Sequence, residues 1–115
     1  MAEQDFFLRV YEYCRQVPYG KITTYGTIAK AIGSPQSARM VGWALNKTSS
    51  LENPVPAHRV LNRNGMLSGK KAFGNLNLMQ ELLEQEGHLI QNDTVIDFKK
   101  ALWTPLEKEN KNHTK

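Results

Sequence analysis

The sequence predicts a small, mainly α-helical domain that carries one β-hairpin. Apolar residues recur at helical spacing in four segments, glycine or proline ends three of these segments, and an Asn-Gly pair separates two short apolar runs. A chain of 115 residues is close to the commonest domain size. We therefore expect one domain over residues 1–105, followed by a polar tail over residues 106–115 that is predicted to be disordered.

The first helix is predicted from an apolar stripe that ends at Pro18 and Gly20. Cys14, the sole cysteine, lies on this stripe, so we expect a small core residue and not a nucleophile. One cysteine excludes an intrachain disulfide and a multi-cysteine zinc site, and the three histidines lack metal-ligand spacing. No metal and no other cofactor is expected. The stripe consists of Phe6, Phe7, Val10, Tyr13, Cys14 and Val17.

Two further helices are predicted on either side of Gly33. Thr23 or Thr24 can cap the first, and Ser34 can cap the second, with Pro35 at its first helical position. A helix, a tight turn and a second helix form a helix-turn-helix. The buried positions of this pair are predicted to be Ile28, Ala29 and Ile32, then Ala38, Val41, Gly42 and Leu45.

The second helix of the pair displays an unusual outer face. Arg39 and Trp43 stand four residues apart, so they share a face that is not the buried one. An exposed arginine and tryptophan on such a helix suit binding to nucleic acid and stacking on its bases. A cation–π pair that merely decorates the surface would give the same pattern.

The second half of the chain predicts the hairpin and a fourth helix. Residues 60–61 face residues 66–67 across Asn64-Gly65, a pair typical of a type I′ turn, and this hairpin would form the wing of a winged helix-turn-helix. The fourth helix is predicted to end at Gly87. Its apolar positions are Leu76, Met79, Leu82 and Leu83. Residues 94–96 can form a short strand, and Phe98, Leu102 and Trp103 can pack back onto the core.

Basic residues are concentrated in the middle of the chain. Residues 18–80 contain eight lysines and arginines and one acid, Glu52, so this window carries a net charge of +7 in a chain of net charge +4. Such segregation points to a polyanionic partner, although exposed lysines can also serve solubility alone. The eight bases are Lys21, Lys30, Arg39, Lys47, Arg59, Arg63, Lys70 and Lys71.

The most informative stretch is the proline segment, residues 54–56, with the residues that follow it. Pro54 and Pro56 fix φ on either side of Val55, so an extended, rigid backbone is expected to lead into a site. His58 titrates near neutrality, but Ala57, where a catalytic site would place its nucleophile, has no nucleophilic atom. A rigid loop that enters a strand, with a structural histidine, is the plainer interpretation.

The motif Pro56-Ala57-His58-Arg59-Val60 resembles the Pro-Cys-His-Arg-Val active-site motif of the O6-alkylguanine-DNA alkyltransferases, with the alkyl-accepting cysteine replaced. The resemblance covers roughly residues 5–90, and a version without this cysteine resembles the alkyltransferase-like proteins, so we expect their fold, that of the alkyltransferase C-terminal domain. The further motifs, in the family's order, are Val17-Pro18-Tyr19-Gly20-Lys21, Thr24-Tyr25-Gly26-Thr27-Ile28-Ala29, Ala38-Arg39-Met40-Val41-Gly42 and Leu82-Leu83-Glu84-Gln85-Glu86-Gly87.

This resemblance implies a DNA damage sensor and not an enzyme. The protein would bind O6-alkylguanine in duplex DNA, flip the nucleotide into a pocket and flag it for nucleotide excision repair proteins. We expect a monomer. No membrane partner is expected either, because no apolar run approaches the roughly 20 residues that span a bilayer. It would be cytoplasmic or nucleoid-associated in a bacterium and nuclear in a eukaryote.

The resemblance also assigns residues to roles. Arg39 would fill the vacated place in the base stack, and Tyr25 would press on the backbone phosphate beside the lesion. Trp43 joins them as a DNA-binding residue because it shares the outer face of the helix with Arg39, and Lys21, Lys70 and Lys71 are expected to contact phosphates because they belong to the basic middle of the chain. The lesion pocket is predicted to be formed by Pro56, Ala57, His58, Val60, Ser68 and Glu86, with Glu86 supporting His58 through a hydrogen bond.

Two departures from the family pattern keep alternatives open. Leu67 stands where catalytic members often have tyrosine, and the stretch from Arg39 to Ala57 is one residue longer, so neither Asn46 nor Asn53 is assigned as the family's hinge asparagine. One alternative is an alkyltransferase domain whose acceptor cysteine was replaced by alanine. Another is a transcriptional regulator that reads sequence through its helix-turn-helix.

Overall fold

The computed structural model describes residues 3–48 and 54–103, and it confirms the predicted mainly α-helical fold with a small hairpin wing. The helices are α1 (Glu3–Gln16), α2 (Tyr25–Ala31), α3 (Ala38–Leu45), α4 (Leu78–Gln85) and α5 (Phe98–Ala101). The strands are β1 (Thr23–Thr24), β2 (Val60–Leu61), β3 (Ile90–Gln91) and β4 (Thr94–Val95). Two 3₁₀ turns, Ala57–Arg59 and Lys70–Phe73, complete these elements.

Helix α1 packs its apolar stripe against α2 and α3, as predicted. Val10 and Cys14 are fully buried, and Phe7 is partly buried against the same core. This first core cluster holds the three N-terminal helices together because each contributes a stripe of buried apolar side chains. It consists of Phe6, Val10, Tyr11, Tyr13, Cys14, Val17, Ile28, Ala29, Ile32, Val41, Ala44, Leu45, Ala57 and Val60.

The helix-turn-helix is present, but its second helix begins later than predicted. Thr24 caps α2 by accepting a hydrogen bond from the amide of Thr27 at 3.1 Å. Gly33, at φ +86°, ends α2 in a Schellman motif, in which the amide of Ser34 donates to the carbonyl of Ala29 at 2.9 Å. Ser34 was predicted to cap α3, but the Ser34 hydroxyl hydrogen-bonds the Ser37 hydroxyl at 2.6 Å within an extra turn, so Ser37 is the N-cap residue.

The hairpin lies further along the chain than predicted. Strand β2 pairs in parallel with β1, with Val60 opposite Thr23, and does not form a ladder with residues 66–67. The Asn62 side chain accepts hydrogen bonds from the amides of Asn64 and Met66, both at 2.9 Å, which closes a tight turn without extending it into strands. Both residues of β2 are fully buried, so the strand sits in the core.

The antiparallel hairpin is formed by β3 and β4, with Ile90 opposite Val95. Its two loop residues, Asn92 and Asp93, have φ values of 53° and 58°, as a type I′ turn requires. Asp93 also accepts a hydrogen bond through its carbonyl from the amide of Leu67 at 2.8 Å. The wing is therefore fastened to the loop that precedes the second 3₁₀ turn.

A second core cluster supports α4 and the hairpin, and the C-terminal residues pack back as predicted. Phe98 and Leu102 contact this cluster, whereas Trp103 packs on Tyr13, with ring centroids 5.7 Å apart. Helix α4 begins at Leu78, so Leu76, predicted to be buried, is 57% exposed. The second cluster consists of Ile22, Leu61, Leu67, Met79, Leu83 and Val95.

Two predicted features fall outside the described residues. Asn53, one of the two candidates for the hinge asparagine, lies within residues 49–53, and the predicted polar tail is residues 106–115. The domain boundary at residue 105 therefore stays a prediction. No helix within the described ranges is both long enough and apolar enough to cross a membrane.

Candidate nucleic-acid interface and pocket

The proline segment bends where the sequence predicted an extended backbone. Pro56 has φ −76° and ψ 65°, and the amide of Ala57 donates to the carbonyl of Val55 at 2.7 Å, which together define an inverse γ-turn. Helix α1 holds this bend, since the Cys14 thiol donates to the carbonyl of Pro56 at 3.6 Å. Ala57 is buried just beyond the bend, with 8% of its surface exposed. Proline fixes φ at Pro56 but leaves ψ free, and ψ makes the turn.

Next to Ala57, the carboxylate of Glu86 joins two neighbours on the 3₁₀ turn. His58 Nε2 lies 2.7 Å from Glu86 Oε2, and the Arg59 guanidinium donates to both carboxylate oxygens at 2.8–3.0 Å. The amide of Gly20 donates to Oε1 at 2.8 Å, and Arg59 Nη1 donates to the carbonyl of Val17 at 2.8 Å. This Glu86 network therefore ties together α4, the 3₁₀ turn and the loop after α1.

The pKa shifts in the Glu86 network keep the Glu86 carboxylate ionised and favour the neutral form of His58. Burial alone would raise the pKa of Glu86, but hydrogen bonds from Arg59, His58 and the Gly20 amide lower that pKa to about 2. Burial lowers the pKa of His58, and the Arg59 charge adds to this, against opposing contributions from Glu86. A neutral His58 must carry its proton on Nε2 to donate to the carboxylate, which leaves Nδ1 as an acceptor.

Tyr25 lies between the helix-turn-helix and the loop before the second 3₁₀ turn. A Cβ atom built on Gly42 of α3 would be 4.0 Å from Tyr25 Cε1, and one built on Gly69 would be only 2.6 Å from the Tyr25 hydroxyl. Burial raises the pKa of Tyr25, against a hydrogen bond with the Ser68 side chain that lowers it. The phenol thus reaches from α3 to Ser68, and glycine at position 69 leaves the room that this approach needs.

The outer face of α3 carries the two residues that the sequence placed there. Arg39 is exposed and Trp43 is 51% exposed, whereas Val41, Ala44 and Leu45 face the core. Within residues 3–48 and 54–103, Arg39 and Trp43 have no hydrogen-bond, ion-pair or ring partner. Both side chains are therefore available to a ligand that approaches α3.

The predicted phosphate-contacting lysines do not lie together. Lys70 forms an ion pair with Asp93 of the hairpin, with Nζ 2.6 Å from Oδ2, and Lys71 beside it is exposed. Lys21 is not part of this pair of lysines and lines a cavity together with Gly87 and Lys100. The wing therefore places an acid beside the basic loop, the segment that carries Lys70 and Lys71, and the sequence alone did not indicate this contact.

Val60 is fully buried in β2, so its side chain does not reach the surface, and its place in the pocket wall stays a prediction. Ser68 is exposed and Pro56 is partly exposed. Beside the proline segment lies an apolar cavity of about 380 Å³ that pattern reading missed, since its walls come from distant segments. The cavity is lined by Leu45, Thr48, Pro54, Val55, Ala72, Phe73 and Leu78.

Arg59 was also missed as a site residue, although its place next to His58 was a usable signal. It donates three hydrogen bonds to Glu86, a role that only the fold reveals. Cys14 is fully buried, and burial raises its pKa to about 12, against the lowering effect of Arg59 and Arg15. The described residues contain no group of three or more His, Cys, Asp or Glu side chains that could hold a metal ion.

Comparison with known proteins gives a consistent result. A profile of the family described as 6-O-methylguanine DNA methyltransferase, DNA binding domain, matches residues 5–88. Alkyltransferase-like protein 1 of Schizosaccharomyces pombe is 35% identical over 91% of this chain and 100% of its own length. The DNA base-flipping protein of Escherichia coli is 35% identical over 88% of this chain and 76% of its own length.

A solved structure agrees with these relatives. The crystal structure of S. pombe Atl1 in complex with damaged DNA containing O6-carboxymethylguanine superposes with a TM-score of 0.79 and 33% identity. The match covers 91% of this chain and 100% of that one. Over most of its length, therefore, this chain belongs to the family of the 6-O-methylguanine DNA methyltransferase DNA-binding domain and, within it, to the alkyltransferase-like proteins.

Proposed function

We propose that this protein binds duplex DNA at O6-alkylated guanine, turns the damaged nucleotide out of the stack and holds it without transferring the alkyl group. The observation that carries the proposal is the outer face of α3, where Arg39 is exposed and unpaired within the described residues. Tyr25 packs against the same helix at Gly42 and reaches the loop at Gly69. This arrangement supports a helix that enters a groove beside a pocket.

Flipping requires the duplex to give up the stacking of one nucleotide. The cost is a few kcal/mol and is smaller for a damaged, poorly paired base, so the lesion itself favours extrusion. A guanidinium is planar and fixed in charge, so Arg39 is suited to the vacated place in the stack. Tyr25, buried on one side by α3, is stiff enough to press on the neighbouring backbone.

The pocket is proposed to hold the flipped base near Ala57 and Ser68, with the alkyl group in a space that a cysteine would narrow. His58 and Glu86 then brace the pocket rather than activate a nucleophile, because Ala57 offers none. Cys14 does not replace it, since it is buried and its pKa is about 12. Tight binding without chemistry suits a flag, and we propose that excision-repair proteins read it.

The test is the affinity of one short duplex, with and without a single O6-methylguanine, for wild type and two variants at two salt concentrations. We expect wild type to prefer the lesion, and Arg39→Ala to lose most of that preference while the salt dependence of binding falls by about one phosphate contact at most. Lys99→Ala, which removes one charge from α5, should keep the preference. Equal affinity of wild type for both duplexes would refute the proposal.

A second measurement separates a sensor from an enzyme. After incubation with excess O6-methylguanine duplex, the intact protein should show no mass increase of one methyl group, and the DNA should keep its lesion. Methylation of any residue would mean that the chain carries out transfer through a nucleophile other than residue 57. The two measurements together test recognition and inertness independently.

A further inference from the structure

Trp43 is exposed in a way that the core does not explain. It is 51% exposed on α3, next to the fully buried Ala44, whereas Trp103 packs on Tyr13 with ring centroids 5.7 Å apart. The exposed half of the indole contributes nothing to the core, and tryptophan is enriched at contact surfaces because it combines a large apolar ring with a polar N–H. Trp43 is therefore a candidate contact residue for a ligand that approaches α3.

The spacing on α3 relates Trp43 to Arg39. Four residues of α-helix advance about 6 Å at 1.5 Å per residue. Successive bases along one strand of DNA are about 3.4 Å apart. If Arg39 occupies the place of the flipped base and α3 runs along the stack of bases, Trp43 meets the duplex about two base steps away, on the side to which the C-terminal end of α3 points.

If α3 lies in the minor groove of the duplex, an indole cannot enter that groove without distorting it. That groove is about 6 Å wide, so a bulky aromatic group must widen it or partly unstack a base step. The cost depends on the step, because pyrimidine–purine steps such as TA and CA deform readily and A-tracts are stiff with a narrow minor groove. Insertion of the Trp43 indole would therefore give higher affinity at steps that deform readily, without any base-specific hydrogen bond.

We propose that Trp43 is a second inserting side chain, which makes lesion binding depend on the deformability of the base step about two positions from the damaged guanine. This inference rests on the proposed lesion-binding function and adds a sequence-context preference to it. Trp43 acts as a specificity-determining residue, while Arg39 remains the residue at the lesion. The preferred substrate is O6-alkylguanine flanked at that distance by a flexible step.

The test uses O6-methylguanine duplexes that carry either a TA step or an A-tract step two positions from the lesion, placed on each side in turn. Wild type should bind the TA duplex roughly five- to tenfold more tightly on one side of the lesion, the lower end of what one base-stacking contact contributes. Trp43→Ala should reduce this ratio to less than twofold and still prefer damaged over undamaged DNA. Leu89→Ala, which removes another exposed apolar side chain, should keep the wild-type ratio.

Fluorescence gives an independent readout. The chain has two tryptophans, so Trp103→Phe leaves Trp43 as the only indole emitter. Its emission should be strongly quenched when lesion DNA binds, because stacking on bases quenches indole. Unchanged emission while a labelled duplex reports binding would overturn the proposal, as would a step preference that is absent from wild type or persists in Trp43→Ala.

The outcomes separate the two proposals. Wild type that prefers the lesion but ignores the flanking step removes the role of Trp43 and leaves the lesion-binding function intact. Wild type that does not distinguish damaged from undamaged DNA refutes the lesion-binding function and, with it, the context preference that depends on it.

Discussion

The Glu86 network and the outer face of α3 use their charged groups in opposite ways. In the network, the Glu86 carboxylate, 5% exposed, receives hydrogen bonds from Arg59, His58 and a backbone amide. On α3, Arg39 is exposed and has no partner among the described residues. The first arrangement fixes three segments of the chain, and the second leaves a cation free for a ligand.

This difference shows that the basic middle of the chain is not one binding surface. Of its eight bases, Arg59 forms an ion pair with Glu86, and Lys70 forms one with Asp93. A count of charges therefore overstates the number available to phosphates. Charges that are paired within the protein contribute to the free energy of folding. Charges without a partner in the protein are the ones that can contribute to the free energy of binding phosphates.

The largest effect is expected from breaking the network. Glu86→Ala leaves the partly buried Arg59 without its carboxylate, which should lower the free energy of unfolding by about 3–5 kcal/mol. Glu86→Gln keeps the size and one acceptor oxygen and should cost less. Urea denaturation measures both, and Arg39→Ala should stay within about 0.5 kcal/mol of wild type. A loss for Arg39→Ala as large as that for Glu86→Ala would contradict the contrast.

Acidification should weaken the same network through its depressed pKa values. Neutral His58 is favoured in the folded network because burial lowers its pKa, and burial also lowers the pKa of His88, which lies two residues after Glu86. Stability present above pH 6.5 is therefore lost as the pH falls below it. Below pH 4.5 Glu86 adds a further loss, on the order of 3 kcal/mol by the time the pH reaches about 2. Melting temperatures from pH 7.5 to 2 measure this, and the fall between pH 7.5 and 5.5 should be smaller in His58→Gln.

A smaller and purely functional effect is expected at Gly69. The Cβ of Gly69→Ala would lie 2.6 Å from the Tyr25 hydroxyl, so the phenol must move away from the loop. Because the moving group is the end of a side chain, stability should change by less than about 1 kcal/mol. Lesion affinity should fall on the order of tenfold, equivalent to about 1.4 kcal/mol.

Tyr25 supplies the control for this variant. In a Tyr25→Phe background the clashing oxygen is absent, so Gly69→Ala should have a much smaller effect on lesion affinity. A double-mutant cycle measured by binding to the O6-methylguanine duplex reports the coupling. Additive effects would mean that position 69 acts on the DNA directly and not through Tyr25.

The smallest effect is expected at the ion pair between the wing and the basic loop. Asp93→Asn frees Lys70 and removes a negative charge, so affinity for damaged and undamaged duplex should rise together by roughly two- to threefold at low salt. Asparagine suits the positive φ at this position, and an exposed pair contributes at most about 1 kcal/mol to stability. Asp97→Asn, at φ 60°, is the matched control and should change affinity less.

Much of the fold followed from local patterns in the sequence. The apolar stripe of α1, the Thr24 cap and Gly33 determined the first helices because they act within a few residues. The exposed pair on α3 also followed from helical spacing. The roles assigned to these residues remain predictions, and the binding measurements above test them.

The tertiary structure decided which segments meet. The sequence placed the hairpin at Asn64-Gly65, but the burial of β2 and its pairing with β1 moved the hairpin to Asn92 and Asp93. Turn propensity is local, and tertiary packing overrides it when a strand has a better partner elsewhere. The sequence alone determined the helical framework and the outer face of α3, and it predicts that Ala57 stands where the family's alkyl-accepting cysteine would be. Only the fold joined Arg59 to Glu86 and Tyr25 to Gly69, because these contacts join residues 27 and 44 positions apart, beyond the reach of any local pattern.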